Sequence, residues 1–138
     1  MTQIFLPYRS FSRTAKVLDY KRLGKQRVEA LRVYNAITGR RPWTNQPLNI
    51  AWKPYPDQLW HYYHHISYEW IRRGYNHTLP LEIGPKRVLD LDKMGPIAWL
   101  TDEVLWEYQN WLYTKDPDYY GLYWDGHIIP GFNWSLIR

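Results

Sequence analysis

The chain has 138 residues, a formal net charge of +5, nine Trp, thirteen Tyr and no Cys. That length suits one domain, and the missing Cys excludes disulfides, thiolate metal ligands and a thiol nucleophile. No run approaches the ~20 apolar residues of a membrane span, and the first residues lack the cationic-then-apolar pattern of a secretory signal, so a cytoplasmic, membrane-free protein is expected.

Taken in chain order, Gln3–Pro7 is apolar and stops at a proline, which predicts an extended segment tucked against the body. A short helix is expected from Ser12 to Asp19, followed by a long one from about Lys21 to Thr38, where Leu23, Ala30, Tyr34 and Ile37 recur at helical spacing and Gly39 offers a stop. Residues Arg40 to Pro54, punctuated by Pro42, Pro47 and Pro54, read as loop. A second long helix is predicted from Pro56–Asp57 to Arg72–Gly74. Residues 75–98 read as a long connection, with room for one helical turn over Lys86–Asp92. The third helix begins at Thr101 as N-cap and runs to Lys115. The aromatic tail, Asp118 to Arg138, has no helical period and is expected to be irregular. The fold class is therefore all-α, a single compact domain over residues 1–138 with three main helices, long loops and an aromatic C-terminal tail.

Charge is distributed unevenly over these elements. Residues 9–41 hold ten cations against two anions, a net of +8, while the remaining eight cations and eleven anions leave −3. Such clustering attracts a polyanion, and DNA or RNA is the expected partner. The alternative is a solvated helix rich in Lys and Arg.

On the first long helix, Arg22, Lys25, Gln26, Glu29 and Arg32 stand three or four residues apart and form one polar stripe. Glu29 is its only acid. Its pairs with Lys25 and Arg32 read equally as ordinary surface ion pairs worth a few tenths of a kcal/mol. A carboxylate in a face that meets phosphates costs affinity, however, which points to acid–base work or to stabilisation of a cationic intermediate. Thr2 follows Met1, and a small second residue favours removal of the initiator. The α-amine then exposed titrates near 8, so a useful fraction is neutral and nucleophilic at neutral pH.

Thr2, the basic helix with Glu29 and Arg32 three residues apart, Asn45-Gln46-Pro47, the helix end Ile71-Arg-Arg-Gly-Tyr-Asn76 and the late Asp118-Tyr-Tyr-Gly121 together resemble the pyrimidine-dimer DNA glycosylase/lyase family of phage endonuclease V-like enzymes. Leu18 to Glu29 looks closer still to a poorly characterised branch of it. The resemblance implies a helical DNA glycosylase with AP-lyase activity acting on damaged or modified double-stranded DNA, as a monomer and without metal or other cofactor. Thr2 would supply the amine that forms a Schiff base with C1′, and Glu29 the catalytic carboxylate. Arg32, with Arg22, Lys25, Arg27, Arg40 and Arg41, would contact DNA. Base flipping is implied too, with Tyr119, Tyr120, Tyr123 and Trp124 as stacking surfaces.

Two other patterns compete for attention. His61, His65 and Glu69 recur every four residues, a spacing able to hold zinc, but the interleaved Tyr62, Tyr63 and Tyr68 favour a packed aromatic helix. Tyr8 and Trp43 offer rings to bases or to the core alike. The competing function classes are a DNA- or RNA-binding module without catalysis and a protein-interaction module using the aromatic tail.

Overall fold

The computed structural model describes residues 4–137. Among them six α-helices and two 3-10 turns occur and no strand: α1 Phe11–Val17, α2 Tyr20–Ile37, α3 Pro47–Trp52, α4 Pro56–Arg72, α5 Asp102–Lys115 and α6 Pro117–Tyr120, with the 3-10 turns at Leu91–Lys93 and Trp134–Ile137. The all-helical class and the three long helices stand as the sequence predicts. No described helix is long and apolar enough to cross a membrane. The described residues divide into two compact units, one of Ile4 with Ser10–Ile97 and one of Phe5–Arg9 with residues 98–137.

In the first unit, α2 lies along α4, and α1 and α3 pack on that pair. Leu23, Ala30, Val33 and Ile37 of α2 and Leu59, Tyr62, Tyr63 and Ile66 of α4 are all buried. The helix ends follow local chemistry. Pro47 and Pro56 sit in first turns, where an absent N–H costs nothing. Gly39 (φ 80°) and Gly74 (φ 91°) end α2 and α4 in the left-handed region that a side chain resists.

In this unit two expectations need correction. Pro47–Trp52 is a helix rather than loop, because Leu48, Ala51 and Trp52 bury one face of it. The turn expected over Lys86–Asp92 is displaced to Leu91–Lys93, where the Asp90 carboxylate accepts from Leu91 N (2.8 Å). The same carboxylate reaches the start of α1, accepting from Phe11 N (2.5 Å), Ser12 N (3.1 Å) and Ser10 Oγ (2.9 Å). Burial pushes the Asp90 carboxyl up, but these donors outweigh it and hold it below its ordinary value.

The connection after α4 is pinned to that helix by its aromatic and imidazole side chains. Tyr63 donates to Pro80 O (2.7 Å) and Tyr68 to Ile83 O (2.5 Å). His64, fully buried, donates from Nδ1 to Trp60 O (2.8 Å) and accepts at Nε2 from Glu82 N (2.9 Å) and Ile83 N (3.1 Å). His61 accepts from Leu89 N (2.9 Å), and His65 donates to Leu89 O (3.1 Å).

In the second unit, Thr101 caps α5 by accepting from Val104 N (3.2 Å). Phe5, in the extended segment, stacks on Phe132 at 4.5 Å. The tail departs from the irregular structure expected of it: Asp116 caps the short helix α6, accepting from Tyr119 N (3.1 Å).

Candidate nucleic-acid interface

At about 100° per residue, Lys21, Lys25, Val28, Arg32 and Asn35 share one side of α2, and the first three are exposed. Lys21 and Lys25 have no ion-pair partner among the described residues. This stripe is the outward face of the helix, and the polar series expected from sequence follows it only in part: Lys25 and Arg32 lie on it, while Arg22, Gln26 and Glu29 do not. Gln26 is fully buried and accepts a hydrogen bond from the Tyr62 hydroxyl. Arg22 pairs at 3.3 Å with the buried Asp19.

Glu29 stands at the border between the stripe and the core, only 9% exposed, and its carboxylate accepts from Arg32. The expected surface ion pair is therefore enclosed on one side only: the Glu29 carboxylate is largely buried and fixed in direction, while the Arg32 side chain stays 37% exposed. Arg32 joins Glu29 to a cleft of about 50 Å³ that it lines with Ala36, Arg41, Pro42, Thr44, Gln46 and Asn49. Asn49 is held there by Thr44, donating to its carbonyl (3.1 Å) and hydroxyl (2.9 Å) oxygens. Sequence reasoning missed Asn49 because it missed α3; Pro47 followed by an apolar face was the available signal.

The other predicted cations divide. Arg41 is exposed at the cleft. Arg40 stacks over Tyr34 (5.5 Å) and Trp60 (5.9 Å) and lies 3.7 Å from Glu82. Arg27 is turned inward, over the Trp70 ring (4.8 Å) and 3.1 Å from His77 Nδ1. Burial lowers its guanidinium pKa, and its Nε has no partner in the structure. Arg27 is half-buried, its guanidinium packed against Trp70 and His77 rather than standing on the outward stripe. Thr2 lies outside the described residues.

The four aromatic residues of the tail gather in the second unit. Tyr120 stacks on Trp124 at 5.4 Å, and Tyr119 meets Tyr120 edge-on at 4.8 Å. Tyr120 is fully buried, so its ring is core and not the stacking surface expected, whereas Tyr123 is 49% exposed. Trp124 donates to the Tyr8 hydroxyl (3.0 Å), which ties Tyr8 into the same cluster. Trp43 is exposed, with Lys53 Nζ 5.2 Å from its ring. The zinc spacing on α4 dissolves: Glu69 accepts instead from Arg72 (2.8 and 2.6 Å) and Arg73 (2.8 Å), and His61 and His65 bind the backbone of Leu89. Among the described residues no three His, Asp or Glu converge on a point.

A helical unit that turns unpaired lysines outward along its longest helix, and sets a fixed carboxylate at the edge of that stripe, is built as a nucleic-acid-binding protein. A model of the pyrimidine dimer DNA glycosylase family matches residues 2–83, the stretch that contains α1 to α4. The chain belongs to that family, which makes DNA its substrate and base excision its class of chemistry. No curated protein and no solved structure matched the chain.

Proposed function

We propose that this protein excises a damaged or modified base from double-stranded DNA and nicks the strand through a Schiff base. Glu29 carries the proposal: a desolvated carboxylate, aimed by Arg32, on the helix that presents the cationic stripe. Removal of Met1 frees the α-amine of Thr2, which attacks C1′ of the target nucleotide. The new N–C1′ bond forms as the glycosidic bond breaks, and the base leaves with the bonding electrons and takes up a proton. The N-glycoside so formed gives up an N–H proton and expels O4′, which takes up a proton as the sugar ring opens to the iminium. The iminium acidifies C2′–H, and loss of that proton with cleavage of C3′–O3′, whose phosphate leaves with the bonding electrons, completes β-elimination. Glu29 balances the cation that develops at the sugar and assists the proton transfers. Lys25, Arg32 and Arg41 hold phosphates beside it, with Arg22 and Arg40 already engaged by Asp19 and Glu82. In the second unit Tyr119, Tyr123 and Trp124 offer stacking faces to bases.

The test is borohydride trapping on duplex DNA containing an abasic site or a cyclobutane dimer. Wild type is expected to give a covalent adduct, an N-terminally blocked form none, and Glu29→Gln about 100-fold less or lower. Salt-sensitive DNA binding with no adduct from wild type would leave a binding module without catalysis and refute the mechanism.

A further inference from the structure

Three rings gather where the start of α2 meets the end of α4, on the flank of α2 away from Glu29. Tyr20 stacks on Trp70 (5.5 Å, planes 16° apart), and Tyr75 lies against both, 4.5 Å from Trp70 and 4.9 Å from Tyr20. Trp70 is nearly buried, but Tyr20 is 54% exposed and Tyr75 38%.

The cluster is built at some cost to both helices. Gly24 interrupts the second turn of α2, inside the helix, where glycine costs roughly 1 kcal/mol against alanine. A β-carbon there would lie 2.9 Å from Trp70 Cζ3, so the glycine is what lets the indole close on the helix. Trp70 Nε1 donates to Asn76 O (2.8 Å), which fixes the plane of the ring. Gly74, in the left-handed region, reverses the chain so that Tyr75 N donates back to Trp70 O (3.3 Å) and the Tyr75 ring folds over. Two glycines thus hold a rigid aromatic surface open to solvent. The cationic stripe begins beside it, since the unpaired Lys21 follows Tyr20 directly.

We propose that Tyr20, backed by Trp70 and Tyr75, is a stacking platform for an unpaired nucleobase of a DNA strand whose phosphates are held by Lys21 and Lys25. An exposed ring next to unpaired cations is the arrangement that binds single-stranded nucleic acid, the ring taking a base face and the ammonium groups the backbone. The base is not that of the reacting nucleotide. Tyr20 and Glu29 are nine residues apart on one helix, about 14 Å along its axis, and they border opposite sides of the stripe. The platform therefore takes a nucleotide away from the one attacked, and the substrate class narrows to DNA with an unpaired or unstacked base near the target. This reading rests on DNA being the substrate, but not on the Schiff-base chemistry.

The experiment is equilibrium binding, by fluorescence anisotropy, of a short oligothymidylate and of a strand of equal length and charge carrying tetrahydrofuran residues in place of nucleosides. Wild type is expected to prefer the base-bearing strand by about fivefold to 150-fold, the range for one base on an aromatic ring. Tyr20→Leu should abolish that preference while keeping the affinity for the base-free strand, and Tyr20→Trp should retain it. Equal binding of both strands by wild type, or an undiminished preference in Tyr20→Leu, would overturn the proposal. Neither strand requires catalysis, so these outcomes stand apart from those of borohydride trapping.

Discussion

Replacing His64 by Phe keeps a ring of similar size in the buried site but removes every polar atom it offers. The Glu82 and Ile83 amides lose their acceptor, and Trp60 O loses a donor. Glu82 is exposed and Ile83 half-buried, so water reaches these amides once the connection loosens, and each loss is set near 1 kcal/mol and not at the full cost of a buried orphan. The expected destabilisation is about 2 to 3 kcal/mol at about pH 7.5, read from urea unfolding. The same imidazole makes a second, signed demand. Burial, the largest cause, and the neighbouring His61 and His65 lower the His64 pKa from 6.5, against smaller raising contributions from Trp60 O and Glu82. Its native contribution is therefore complete above about pH 6.5 and declines as the pH falls toward the folded value, because the unfolded chain takes up a proton that the native site refuses. Loss of His64 should flatten the pH dependence of wild-type stability below that point by up to about 1.4 kcal/mol per pH unit. His61, His65 and His77, also lowered chiefly by burial, would keep the remaining slope. A destabilisation under about 0.5 kcal/mol with an unchanged slope would refute the account of how α4 holds the connection.

Gly24→Ala gains about 1 kcal/mol of helix propensity but drives a methyl group to 2.9 Å from a tethered indole, so a net loss near 1 kcal/mol is expected by thermal unfolding, and a gain would contradict the packing. Glu69→Gln removes the counter-charge of Arg72 and of the largely enclosed Arg73 and should cost about 2 to 3 kcal/mol in urea. Burial raises the Glu69 pKa but its two arginines prevail and lower it, so the wild-type advantage should persist above pH 4.5 and fade below it. Asp90→Asn should cost about 2 kcal/mol, measured by circular dichroism melts, because an amide cannot accept at both oxygens from the donors at the start of α1 and of the 3-10 turn.

The long helices were legible because their stop signals are local: Pro56, Gly39 and Gly74 act on the backbone whatever surrounds them. Helix α3 was not, since six residues carry too little period to outweigh three prolines, and the burial of Leu48, Ala51 and Trp52 is what reveals why it forms. For the candidate interface, residue type gave the sign of the charge but not its direction. Arg27 and Lys25 are alike on paper, yet Trp70 and His77 draw one inward. Tyr120 was read as available because ring content says nothing about which ring its neighbours cover. The Tyr20 platform was invisible for the opposite reason: its three rings come from elements some fifty residues apart, and the glycines that join them look like ordinary interruptions.

The closure of α1 has a bearing on the order of assembly. Seven residues are too few to hold a helix in water alone, and both ends of this one are fastened by distant side chains. Asp90 meets the Phe11 amide across 79 residues, and Arg73 donates to Ala15 O (3.2 Å) and Lys16 O (3.1 Å) at the other end. During synthesis the segment emerges early, then waits roughly 4 to 16 seconds for the residue that secures it. It is a latch that closes only after α4 and its connection are in place, and its amides should be among the last protected when the chain refolds.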